Sequence, residues 1–325
     1  MHDLTDTKNL KIILHIGLPK TGTTWLQDVF YPHQKGIHYI DVAPQNYPAE
    51  QHPMIVEFIH VANTPHEELS QEKLQLIRHN IQRYFHKGIN LLSNENYFTG
   101  MPSTVSITDI TNISCSLKNL YPQLKIILIL RNQLSLLSSL YLQRLYMANE
   151  YRSFKQFLHS FRNSLIPYLK YIELVNAWHD ALGRENVYIS TYEHFLKDRT
   201  QFLKNLCTFI GIENPELNVS QRTYVNRSLS FYSAIIMFFA NQLHSIKRVQ
   251  HSEQLTCYAN YFTHNIAKFC KDWLDPKVIH KYGLYKKISN PNEYFLSEYY
   301  GKSNVELSKI TQLDLKDLGY PYKSA

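Results

Sequence analysis

Lys20 stands in a run of small and hydroxyl-bearing residues, Gly17-Leu18-Pro19-Lys20-Thr21-Gly22-Thr23-Thr24-Trp25. Before it comes the short apolar stretch Lys11 to Ile16, which reads as a buried strand around His15. After it, Trp25-Leu26-Val29-Phe30 has helical spacing. A strand, a small-residue loop and a helix N-terminus together make an anion site. The first-turn N–H groups have no partner within the helix, and the helix dipole favours negative charge there. Lys20 adds a full charge, and Thr21, Thr23 and Thr24 add hydroxyls, so the expected ligand is a phosphate. A nucleoside-triphosphate loop, G-x-x-x-x-G-K-[ST], places its lysine directly after the second glycine. Here Gly17 and Gly22 match in spacing, but Thr23 occupies the lysine's position and Lys20 precedes Gly22.

Three further groups carry chemistry. Arg131 ends the apolar run Leu124 to Leu130, and Ser139 follows eight residues later. Eight residues are about two helical turns, so both side chains can approach one anion from adjacent sides. Glu95 follows the short run Ile89 to Ser93. In a parallel α/β sheet, ligands bind beyond the carboxyl ends of the strands, so Glu95 is expected on the same rim as the Lys20 loop. Thr191-Tyr192-Glu193 follows a further strand, Val187 to Ser190, and Asn226-Arg227-Ser228 is a polar loop before a helix.

The segment Pro19 to Trp25 resembles the 5′-phosphosulfate loop of the sulfotransferases, which use 3′-phosphoadenosine 5′-phosphosulfate (PAPS). The segment Leu128-Ile129-Leu130-Arg131-Asn132 to Ser139 and Tyr141 resembles that family's 3′-phosphate segment, with Gln133 where a proline is common. The resemblance implies that Pro19, Lys20, Thr21, Gly22, Thr23, Thr24, Trp25, Arg131 and Ser139 bind the nucleotide. It implies an adenine contact at Tyr192, whose alternative is ordinary ring packing. It also implies a closing loop at Asn226, Arg227 and Ser228, whose alternative is a cap on the next helix. Lys20 would stabilise the leaving phosphate. Ser93 to Phe98 is similar to the carbohydrate-sulfotransferase version in which a glutamate, here Glu95, is the base; Asn96 replaces the lysine of the heparan-type pattern. His33 and His38 are the substitutes for that base. The implied acceptor is a hydroxyl on a carbohydrate, glycolipid or oligosaccharide precursor, and no metal is required. A P-loop kinase and a non-catalytic nucleotide- or glycan-binding protein are the alternatives. The kinase would want an acidic residue ending the Ile126 to Leu130 strand, where none stands.

The elements that must position these residues alternate. Strands are expected at Lys11 to Ile16, Ile89 to Ser93, Leu124 to Leu130 and Val187 to Ser190. Helices are expected at Met54 to Ala62, Glu67 to Phe85, Ile107 to Leu120, Leu134 to Tyr146, Phe154 to Phe161, Tyr168 to Leu182 and Gln201 to Ile210. The glycines after three of them, Gly88, Gly183 and Gly211, are stop signals. Tyr31 to Pro53 reads as mostly loop. The fold class is therefore α/β: a P-loop-type three-layer fold with a central parallel sheet of about four to five strands. One domain is expected over 1–325, with a nucleotide-binding core at about 11–211 and a helical part at about 212–325. That part holds helices at Phe231 to Ile246, Tyr258 to Trp273 and Ser303 to Ile310.

The 325 residues suffice for such a core, and 44% hydrophobic with 19% charged residues is the balance of a globular protein. The net charge of +7 favours anionic ligands. No dense basic run with interleaved aromatics argues for nucleic acid. Lys277, His280, Lys281, Lys286 and Lys287 form a solvated face or meet an anionic saccharide. Cys115, Cys207, Cys257 and Cys270 have neither zinc-site nor disulfide spacing, so buried thiols in a reducing cytosol are expected. Met1 to Asn9 has no apolar core, and no apolar run reaches membrane-spanning length, which predicts a cytoplasmic enzyme of bacterial type. Contact with a membrane surface stays open.

Overall fold

The computed structural model describes residues 10–40, 64, 68–82, 84–94, 107–147, 150–213, 231–248, 253–270 and 284–323. Five strands, β1 (Lys11–Gly17), β2 (Ile37–Ile40), β3 (Ile89–Asn94), β4 (Lys125–Leu130) and β5 (Val187–Thr191), form one sheet in the order β2-β3-β1-β4-β5. Every pairing is parallel. Helices cover both faces, so alternate residues of one strand enter two different cores and the strands are apolar almost throughout. Ile12, Leu14, Ile126 and Leu128 face one core; Ile13, Leu91, Ile127 and Ile129 face the other.

The smaller core is closed by α1 (Thr23–Trp25), which continues through a wide turn at Leu26–Phe30 and a tight one at Tyr31–His33. It is completed by α8 (Tyr192–Lys197) and α9 (Arg199–Ile210). The larger core packs against α2 (Gln71–Gln82), α3 (Ile107–Leu120), α4 (Gln133–Met147), α5 (Phe154–Ser160), α6 (Leu165–Tyr168) and α7 (Tyr171–Leu182). It also takes in α10 (Phe231–Arg248), α11 (Glu253–Phe269) and α12 (Leu284–Thr311). Among the described residues, no helix is long and apolar enough to cross a membrane.

The chain leaves β1 for one side of the sheet and then returns to build the other side with β4 and β5. That reversal opens a crevice at the carboxyl ends of β1 and β4, the usual ligand position in such sheets. The register puts Gly17 beside Ile129, Ile16 beside Asn94 and Leu130 beside Thr191, so the four strand ends share one rim.

Several expectations need correction. Within the stretch Tyr31 to Pro53, expected to be mostly loop, Ile37–Ile40 pairs with β3 as an unexpected edge strand. Gly88 does not close α2, which ends at Gln82. Its φ of +107 serves instead the turn into β3. There the Asn90 side chain accepts from His86 N at 2.8 Å and donates to His86 O at 2.9 Å. Gly183 and Gly211, at φ +84 and +93, do end α7 and α9. The expected helix Met54 to Ala62 lies outside the described residues. The C-terminal helix is far longer than Ser303 to Ile310. Cys207 and Cys270 are buried free thiols, whereas Cys115 is only half-buried.

Candidate functional site

The loop after β1 is tied down by its own side chains. Gly17 lets the helix start press onto the strand, since a Cβ there would lie 2.6 Å from Thr23 Oγ1. Thr21 Oγ1 donates to Leu18 O at 2.6 Å and lies 3.1 Å from Thr23 Oγ1. With both threonines only 1% exposed, their hydroxyl protons are committed inside the loop. Backbone N–H groups, Lys20 and the half-buried Thr24 are the loop's other candidate anion donors. Lys20 adopts φ +67, a left-handed conformation that costs a side-chain-bearing residue about 1–2 kcal/mol. Such strain persists only where the surroundings dictate it. Here Arg131 Nη1 donates to Lys20 O at 2.5 Å.

Arg131 is 6% exposed, and its guanidinium is held from three directions. Besides Lys20 O, it meets Ser135 Oγ through Nε at 3.0 Å and Nη2 at 2.9 Å. Its carbon Cζ lies 4.8 Å over the Tyr192 ring, a cation–π contact. Its own carbonyl accepts from Tyr171 OH at 2.7 Å. Ser139, expected to meet the same anion as Arg131, is buried two turns into α4, and the hydroxyl that meets the guanidinium directly is that of Ser135. Ser135, in the first turn of α4 and four residues after Arg131, is a contact that the sequence reading does not single out.

Tyr192 opens α8, where Thr191 Oγ1 accepts from His194 N at 3.1 Å. Its ring lies against Gly22, which has φ +85 and whose Cβ would come 3.2 Å from Tyr192 Cε2. Glycine is therefore needed at position 22 twice over, for the backbone and for the space. Loop, Arg131 and Tyr192 thus meet at one point. Trp25 faces the other way, into the core between Phe30 and Phe195 with Arg199 over its ring. Its backbone N–H closes the first turn onto Gly22 O at 3.0 Å.

Glu193 sits behind Arg131. Its Oε1 accepts from Asn132 N and its Oε2 from Tyr320 OH, each at 3.0 Å. Burial raises its carboxyl above the ordinary range, only partly offset by these bonds and by the Arg131 charge.

A second buried network lies beneath the loop. His15 Nδ1 is 2.9 Å from Ser93 Oγ and 3.2 Å from Tyr31 OH. Gln27 Nε2 donates to Ser93 O at 3.0 Å and lies 3.1 Å from Ser93 Oγ. These bonds fasten α1 and its wide turn to the carboxyl end of β3. Burial lowers the pKa of His15 to about 3, so the ring is neutral and structural. Among the described residues, His15 Nε2 has no hydrogen-bond partner.

Glu95, Asn226, Arg227 and Ser228 lie outside the described residues. His33 is exposed at the end of α1's last turn. His38 is stacked on His86 with ring centroids 3.7 Å apart, and burial lowers its pKa. It pairs with Asn90, four residues or about 13 Å short of Asn94, and so away from the rim. Among the described residues, no group of three His, Cys, Asp or Glu side chains is placed to hold a metal ion.

A family model described as Sulfotransferase domain matches residues 11–283. No curated protein sequence matches the chain. Among solved structures, a sulfotransferase from Alicyclobacillus acidocaldarius is 19% identical over 65% of this chain and 85% of its own, with a TM-score of 0.43. Mouse sulfotransferase SULT7A1 complexed with PAP is 20% identical over 66% of this chain and 64% of its own, with a TM-score of 0.37. A sulfotransferase domain from the curacin biosynthetic pathway is 13% identical over 86% of this chain and 95% of its own, with a TM-score of 0.35.

Proposed function

The chain belongs to the sulfotransferase domain family, and on that premise we propose that it moves a sulfo group from PAPS to an acceptor hydroxyl on a carbohydrate or glycolipid. The observation that carries the choice of co-substrate is the 2.5 Å bond from Arg131 Nη1 to Lys20 O. A nucleoside with phosphates on both the 3′ and 5′ oxygens of one ribose needs two cationic points close together. The bond joins two such points, the loop at the end of β1 and the arginine at the end of β4. A triphosphate loop would need its lysine at position 23. Thr23 is buried there against Gly17, which argues against a kinase.

When bound, PAPS supplies the sulfo group, whose S–O bond to the 5′-phosphate breaks as the acceptor oxygen bonds to sulfur. Negative charge then grows on the 5′-phosphate. Lys20 and the first-turn N–H groups of α1 stabilise that charge, the kind of preorganised contact worth several kcal/mol in a transition state. Arg131 binds the 3′-phosphate, with Ser139 on the same helix as Ser135. Tyr192 offers a ring face at the nucleotide edge, and Asn226, Arg227 and Ser228 close over it. Glu95 takes the acceptor proton. A cytoplasmic location accords with the free thiols of Cys115, Cys207 and Cys270.

The experiment is transfer of label from ³⁵S-PAPS to a panel of glycan and glycolipid acceptors, with Glu95→Gln alongside. Labelled product from the wild type, reduced at least about 10²-fold in the variant, supports the proposal. Undiminished transfer by Glu95→Gln removes Glu95 as base. Nucleotide binding without any transfer points to a binding protein on the same fold.

A further inference from the structure

The family match stops at residue 283, yet the chain beyond it returns to the strand end that carries Arg131. After α12, Gln312 takes a left-handed backbone, φ +58, and residues 313–322 fold back across the sheet's rim. Leu315 and Tyr320 are buried there, Tyr320 to 3% exposure. Asn132 Nδ2 donates to Gly319 O, and Tyr320 OH donates to Glu193 Oε2 at 3.0 Å. Asn304 Nδ2 donates to Pro321 O at 2.8 Å, and Gln133 Nε2 donates to Asn304 Oδ1 at 2.9 Å. Gly301 lets the segment's end lie flat on α12, for a Cβ there would come 2.6 Å from Lys323 Cβ.

Asn132 is the junction, and each of its polar groups is engaged. Its N–H donates to Glu193 Oε1, and its carbonyl accepts from Leu136 N at 2.8 Å. Its Oδ1 caps α4 by accepting from Ser135 N at 3.1 Å, and its Nδ2 holds the returning chain. Ser135, fixed in that capped turn, is the residue that accepts from Arg131 Nε and Nη2. A continuous hydrogen-bonded path therefore runs from Gly319 and Tyr320 to the guanidinium.

We propose that residues 313–322 are a positioning strap of the nucleotide site: Gly319 and Tyr320 hold Asn132 and Glu193, which set the first turn of α4 and, through Ser135, aim Arg131. Tyr320 is thus a positioning residue that acts through Glu193. Without its hydroxyl, Glu193 Oε2 is left buried with no donor from the strap. The carboxylate then loses its fixed orientation, and Asn132 N–H loses a fixed acceptor. The inference rests on the reading of Arg131 as the holder of the 3′-phosphate.

The test is calorimetric titration of the full chain and of Tyr320→Phe with adenosine 3′,5′-bisphosphate and with adenosine 5′-monophosphate. The Phe variant keeps the buried ring, and a second variant ending at residue 312 removes the strap altogether. The expected result is a loss of about tenfold in bisphosphate affinity for Tyr320→Phe, with monophosphate affinity held within about twofold. The ratio of the two affinities is the readout that a general loss of stability would leave unmoved. Both affinities falling together, or neither changing, overturns the strap. A wild type that binds both nucleotides equally removes the Arg131 reading and the proposal with it. Discrimination that survives Tyr320→Phe intact overturns the strap alone.

Discussion

Lowering the pH should cost this fold stability through His15 in a way that can be worked out beforehand. The unfolded chain takes up a proton on this residue with a pKa near 6.5, whereas burial holds the folded residue neutral down to about 3. Between those values the unfolded state binds the extra proton, so stability is full above pH 6.5 and is lost as pH falls toward 3. From pH 7 to pH 5 the loss from this residue is about 2 kcal/mol, approaching about 1.4 kcal/mol for each further pH unit. His38, His179 and His194, also lowered by burial, tilt the curve in the same direction. The informative quantity is therefore the difference in slope between the wild type and His15→Gln. Glutamine keeps an amide to meet Ser93 and has nothing to titrate. Urea denaturation at half-unit pH steps should show the variant less stable at pH 7 and flatter by about 2 kcal/mol between pH 7 and 5. Parallel curves would mean that His15 is not buried neutral beneath the loop, and the account of that network would fall.

Other outcomes follow from the loop and its supports. Lys20→Gly and Lys20→Ala should lose turnover alike, by about 10²-fold or more, because both remove the charge beside the leaving phosphate. The glycine variant should nevertheless be more stable than the alanine variant by about 1 kcal/mol in thermal melts, because it accepts the left-handed backbone freely. Gly22→Ala should destabilise by about 1–2 kcal/mol and weaken nucleotide binding, since its Cβ meets the Tyr192 ring at a left-handed φ. Gln27→Ala, which removes the donor to Ser93, should cost about 1–2 kcal/mol by denaturant titration.

What could be read from the sequence was local. The run Lys125–Leu130 declares a strand covered on both faces, and the glycines and lysine of the anion loop that follows Lys11 to Ile16 sit within a few residues of one another. Arg131 was legible because it ends that strand. The partners that hold it were not. Glu193 lies 61 residues from Asn132 and Tyr320 lies 127 from Glu193, separations at which no spacing rule operates. The same holds for His15, whose hydrogen-bonding environment is completed by Ser93, 78 residues away. Residues Ile37–Ile40 escaped notice because four residues among Pro, His and Gly carry too little alternation to mark an edge strand. Thr21 and Thr23 offer hydroxyls by their chemistry, and the tight loop turns these inward onto Leu18 and each other, which no spacing rule shows.

The central claim is that Arg131 and the Lys20 loop together read a nucleoside phosphorylated at both ribose ends. Arg131→Lys tests it most directly, because lysine keeps the charge but cannot serve Lys20 O, Ser135 and the Tyr192 ring with one planar fork. Isothermal titration with adenosine 3′,5′-bisphosphate and adenosine 5′-monophosphate gives the wild-type preference and its change. The account predicts a wild type that favours the bisphosphate and a variant in which that preference falls by about tenfold or more, with monophosphate affinity little altered. Equal binding of the two nucleotides by the wild type, or an unchanged preference in Arg131→Lys, would contradict it.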